Sequence, residues 1–177
     1  MRVVEVVQFA EVLARFRREH ATGPVHEANT NALAERALGV ADAMLGVWHR
    51  VRLGPAALGR VLLPWHESEG GRCKLVPRTG LTVAAAAARL REAHDDYPDH
   101  SPVCWRKLQR HRAADPASTA IYLSTRPIDH VDYAALTPGD GLVHLDGLHR
   151  MVAWAAYGLL QGGREVEAYV AGPLRSQ

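Results

Sequence analysis

Lysine is almost missing from this 177-residue chain. Of its 21 basic residues only Lys74 and Lys107 are lysines, which leaves two candidates for a Schiff-base or phosphate-binding amine. Cysteine is equally scarce. Cys73 and Cys104 are too few for a disulfide framework and form no CxxC pair, so a reduced, cytoplasmic setting is expected and both read as packing residues. Charge of one sign is not in excess: the formal net charge is +2, too mild to indicate a nucleic-acid partner. No apolar run approaches the roughly 20 residues of a membrane span. The opening MRVVEVVQFAEVLARF is broken by Glu5, Gln8 and Glu11 and lacks a small-residue cleavage site, which argues against a signal peptide. A Walker-type glycine loop, HExxH and GxSxG are all absent, as are internal repeats.

Hydrophobic residues make up 47% of the chain, enough for a real core. Valine-rich residues 3–7 read as a short strand. Phe9, Val12, Leu13 and Phe16 form the apolar stripe of a helix over 9–20, closed by Gly23 and Pro24. Asn29 or Thr30 then reads as the N-cap of a long helix over 31–51, with Leu33, Ala37, Leu38, Ala41, Met44, Leu45 and Trp48 at helical spacing. These two helices are expected to pack as a hairpin. A helical turn follows at 54–59, then a glycine-bearing loop at 66–72 and a strand at 73–77. Thr82 is placed to cap an alanine-rich helix over 83–94, which a loop at 95–102 separates from a basic helix over 103–112. Strands are expected at 120–124, 142–145 and 165–170, with a helix over 149–160. The order implies an α+β protein, with a helical N-terminal subdomain over 1–65 and a second domain over 73–172.

The segment LVHLDGLHRMVAWAAYG, residues 142–158, reads as a strand, a tight turn and a helix. The first N–H groups of a helix have no intrahelical acceptor. Gly147 permits the sharp turn and the close approach of a ligand to the backbone. Asp146 is placed to cap the helix or to act as a base. His149 and Arg150 put basic side chains where the helix dipole opposes positive charge, a placement that a bound anion offsets. A phosphate there would receive the amides of Gly147, Leu148 and His149 and the fork of Arg150. The plainer reading makes Asp146 an N-cap, Arg150 a surface ion-pair partner and His149 a satisfied, partly buried residue.

Asp146-Gly147-Leu148-His149-Arg150, with a strand before it and an alanine-rich helix after it, resembles the DGxHR signature of the ParB/sulfiredoxin-like superfamily. The order of elements over residues 73–172 is similar to that fold, which implies an α/β domain with a mixed sheet. In that superfamily the turn binds nucleotide phosphates. Leu148 stands where sulfiredoxin chemistry requires a cysteine, and the GERR-like turn of the partitioning proteins is not present. The free-serine-kinase-like branch is the nearest in motif. The resemblance therefore implies a nucleotide-dependent phosphotransferase acting on a small hydroxylated metabolite, with ATP or another nucleotide and Mg²⁺ as partners. In it Asp146 and His149 would be catalytic, and Gly147, Leu148, His149 and Arg150 would hold phosphate. Two further readings stand beside it: a non-catalytic nucleotide- or effector-binding module, and a non-kinase biosynthetic enzyme using Asp146 and His149 as an acid–base pair.

Other clusters are less specific. Glu67, in PWHESEGG, is a candidate for the missing general base, with His66 as a substrate contact and Glu69 weaker. Asn29 and Asn31, in HEANTN, offer hydrogen bonds to a substrate, although capping explains them cheaply. His144, a further candidate substrate contact, shares a strand face with Asp146, and with His149 the pair makes an alternative zinc set; otherwise no metal held by side chains alone is expected. Residues 105–112, WRKLQRHR, read as a solvated helix face in preference to a nucleotide contact.

Overall fold

β1 (Arg2–Val7) exposes its first five residues and buries Val7, and α1 (Phe9–Glu19) continues that contact by burying Val12 and Phe16. The computed structural model describes residues 1–20, 25–67, 74–93, 96–137, 139 and 141–174, the side chains of 25–29 and 67 excepted. α2 runs Val25–Leu45, so Asn29 and Thr30 lie inside it and do not cap it, and it stops well before residue 51. Gly46 is the reason. It sits in the left-handed region at φ +68, and its N–H returns to the Asp42 carbonyl at 2.8 Å. Trp48 and Val51, expected on the helix, instead lie in β2 (Trp48–Leu53), where Trp48, Val51 and Leu53 are buried. Trp48 Nε1 donates back to Asp42 Oδ1 at 3.0 Å.

Shorter elements follow. α3 (Pro55–Gly59) carries proline in its first turn, and β3 (Leu62–Leu63), β4 (His66–Glu67), β5 (Lys74–Val76) and β6 (Leu81–Thr82) come next. Thr82 Oγ1 accepts the Ala85 amide at 3.2 Å and caps α4 (Val83–Glu92), as its sequence position indicates. The stretch expected as a loop before residue 102 contains a short helix, α5 (Tyr97–His100), because Pro98 suits a first turn and Tyr97 is buried. α6 (Pro102–Ala113), β7 (Ile121–Ser124), β8 (Val143–Asp146), α7 (Leu148–Ala156) and β9 (Val166–Ala171) complete the order.

Seven strands form one mixed sheet in the order β1-β2-β9-β7-β8-β3-β6. β9 lies antiparallel to β2 and parallel to β7; β8 lies antiparallel to β7 and parallel to β3. The fold is thus α+β. Residues 1–65, expected as a helical subdomain, supply three of the seven strands, so the sheet runs through both expected parts. β7 is buried at every position, which requires cover on both faces. Ile121 and Leu123 pack with Val51, Leu53, Ala168 and Val170 beneath α4, α6 and α7. Tyr122 points the other way, to Phe16, Leu38, Trp48 and Tyr169 on the side of α1 and α2. β4 and β5 form a separate two-stranded ribbon that carries His66. Among the described residues, no helix is long and apolar enough to cross a membrane.

Candidate functional site

Asp146 closes β8, Leu148 opens α7, and Gly147 alone makes the turn between them, at φ +103. A Cβ at this position would stand 2.8 Å from Ile121 Cγ2 and 3.2 Å from Arg150 Nε, so both backbone and space call for glycine. No side chain caps α7, and Asp146 is not its cap. The first internal bond of the helix runs from the Met151 amide to the Gly147 carbonyl at 3.0 Å. The amides of Leu148, His149 and Arg150 therefore have no acceptor within the helix. These residues line a cleft of about 330 Å³.

Arg150 points inward. It is only 6% exposed, and its guanidinium pairs with the Asp146 carboxylate. His20 Nε2 lies 3.3 Å from the same Asp146 oxygen, and His20 Nδ1 lies 2.9 Å from the Phe16 carbonyl. Both contacts suit a ring that donates from both nitrogens, the charged form. Burial works against that charge, but the hydrogen bond and charge of Asp146 and the Phe16 carbonyl together raise the His20 pKa. Burial also works against an ionised Asp146, and Arg150 and His20 overcome it, holding the carboxyl well below the usual carboxylate range. A carboxylate so held is a poor general base. The ion-pair role for Arg150 is met, although inside the protein and not on its surface.

Basic charge reaches the cleft from α6 instead. Lys107, Arg110 and His111 all line it, and their spacing of three and four residues puts them on one helix face. The stretch expected as a solvated face is thus a wall of the cleft, and that spacing was the signal in the sequence. Burial, Arg150 and Arg110 push the His111 pKa down to about 4, so this imidazole is neutral near pH 7. Glu19 stands on the same cleft but is engaged: its carboxylate accepts from the Ala120 amide at 2.9 Å and the Tyr122 hydroxyl at 3.1 Å and pairs with Arg15 at 2.8 Å. Thr30 and Asn31 line the cleft from α2, while the side chain of Asn29 lies outside the described residues. Over its whole length, residues 1–177, the chain matches a family of unknown function, DUF6309. The chain belongs to DUF6309. No curated protein and no solved structure matches it.

A second cleft of the DUF6309 chain, about 230 Å³, adjoins the first. It shares Thr30, Lys107 and Asp146 to His149, and adds Trp65, His66, Tyr133 and His144. Both ring nitrogens of His144 are buried without a hydrogen-bond partner among the described residues, and burial pushes its pKa down to about 4. The alternative zinc set of His144, Asp146 and His149 is not assembled, because Arg150 and His20 occupy Asp146. Among the described residues the cluster with metal-ligand spacing is His66, Cys104 and His149. Cys104 is buried, as a packing residue would be, but its sulfur also lies 3.5 Å from His66 Nε2. Glu67 is in β4, with its side chain outside the described residues; Glu69 and Cys73 lie outside them altogether.

Proposed function

We propose that this DUF6309 protein binds a nucleotide with Mg²⁺ in the cleft at the start of α7 and transfers its terminal phosphoryl group to a small hydroxylated metabolite. One observation carries the reading. Lys107 and Arg110 share the cleft with the opening amides of α7. The cleft therefore has cationic side chains and backbone donors for a phosphate. In the transfer, the metabolite hydroxyl attacks the terminal phosphorus, the bridging P–O bond breaks, the hydroxyl proton leaves to solvent, and the nucleoside diphosphate departs with the bridging oxygen. Thr30 and Asn31 offer hydrogen bonds to the metabolite. Asp146 and Arg150 hold the turn in shape, which is a positioning role. The DGxHR resemblance supports phosphate as the ligand.

The engagement of Asp146 favours a second reading, a non-catalytic nucleotide- or effector-binding module, and gives no support to an acid–base pair of Asp146 and His149. Calorimetric titration with ATP, CTP and ADP in the presence of Mg²⁺ tests the shared part. Replacing Lys107 and Arg110 together by alanine should weaken binding by about 2–4 kcal/mol, from two charge-assisted contacts. No binding by any of the three nucleotides, or unchanged affinity in the double variant, overturns the cleft assignment. Phosphorylated product across a panel of hydroxylated metabolites decides for transfer, and its absence with binding intact decides for the module.

A further inference from the structure

His66, Cys104 and His149 come from the β4–β5 ribbon, the first turn of α6 and the first turn of α7, and meet beside the second cleft. One ligand-capable atom of each lies within 4.8 Å of the other two. Cys104 Sγ is 3.5 Å from His66 Nε2. Tetrahedral zinc, with Zn–S of about 2.3 Å and Zn–N of about 2.0–2.1 Å, sets a sulfur–nitrogen edge of about 3.6 Å. The two imidazoles stand edge to face, 4.9 Å between centroids and 84° between planes. A thiol–imidazole hydrogen bond accounts for the Cys104–His66 contact, but it leaves the third member unexplained. His149 Nε2 is buried and has no hydrogen-bond partner among the described residues.

We infer that these three side chains bind a zinc ion whose fourth coordination position opens toward the second cleft. Two imidazole nitrogens and a thiolate are soft and borderline donors, the set that selects Zn²⁺ over Mg²⁺ or Ca²⁺. On binding, the Cys104 S–H bond breaks, the proton leaves to solvent and an S–Zn bond forms; nothing is oxidised or reduced. Three protein ligands leave one position for water or an anionic oxygen, the pattern of zinc sites that do chemistry. His66 and His149 both line the 230 Å³ cleft, so a ligand there would reach that position. This site does not rest on the phosphate reading: only His149 borders both, through its amide there and its side chain here, and no nucleotide enters its test.

Untagged protein, purified without chelator, should carry about one zinc per chain by elemental mass spectrometry. After removal of zinc, added Co²⁺ should give a near-ultraviolet thiolate-to-cobalt charge-transfer band together with the visible bands of a tetrahedral ion. Cys104→Ser should abolish the charge-transfer band. His66→Gln and His149→Gln should each weaken Co²⁺ binding by about two orders of magnitude. His130→Gln, at an exposed histidine outside the cluster, should bind as the parent does. Circular dichroism establishes which variants are folded, and the parent spectrum decides the matter even if a ligand variant is not. Folded parent protein that binds Co²⁺ without a sulfur band, or not at all, overturns the inference. So does a Cys104→Ser variant that keeps the parent spectrum.

Discussion

At the scale of single residues, Arg150 is held by an ion pair inside the protein while it also borders the first cleft. Its guanidinium is turned into the protein against Asp146, and Gly147 leaves the room in which it lies. Removing one partner of a buried ion pair strands the other, at a cost of about 3 kcal/mol. Arg150→Ala is therefore expected to lower stability by about 3 kcal/mol in urea unfolding, with His20 retaining part of the compensation for Asp146. Direct phosphate contact by Arg150 would show the opposite pattern, with stability preserved and nucleotide affinity lost. The two measurements on the same variant separate an anchor from a ligand.

At the scale of elements, local chemistry was legible and distant partnership was not. Thr82 ahead of an alanine run, Pro55 opening a helical turn, and Gly147 between a strand and a helix each carry their meaning within a few residues. Gly46 carried the same kind of signal, but the helical spacing of Ala41, Leu45 and Trp48 ran across it and concealed the start of β2. A Cβ at Gly46 meets nothing within 4 Å, so the cost there is purely conformational. Gly46→Ala should destabilise the fold by about 1 kcal/mol in thermal or urea unfolding, and Gly46→Asn by less, because asparagine tolerates the left-handed region better. The strand, turn and helix at DGLHR were legible from the same local grammar. Their neighbours were not: His20 and the Cys104–His66 contact, whose partners lie 38 residues apart, depend on how helices settle on the sheet.

At the scale of the whole molecule, two histidines on the first cleft give stability opposite slopes with pH. His20 has a raised folded pKa, so its contribution is complete below the unfolded value of about 6.5 and is lost as pH rises through the folded value. His111 is neutral in the fold down to about pH 4. The unfolded chain takes up that proton from about 6.5 downward, so stability falls as pH drops across this window. Asp146, with a depressed pKa, adds a further loss in stronger acid, once the unfolded carboxyl protonates. Urea midpoints measured from about pH 4 to about pH 9 should therefore pass through a maximum near neutrality. His111→Gln should flatten the acid limb by about one proton, which is about 1.4 kcal/mol per pH unit, and His20→Gln should flatten the alkaline limb.

The position of β9 bears on how the chain is made. It is the last described strand to leave the ribosome, yet it sits between β2 and β7. Throughout translation of the preceding residues, two strand edges that are sealed in the finished sheet present unpaired amides and carbonyls to any other nascent polypeptide. The DGLHR turn, already synthesised by then, has to wait for a strand translated after it before the sheet beneath it closes. The centre of the sheet thus closes only once β9 has been made, and chaperone supply and growth temperature should govern how much of the protein is recovered.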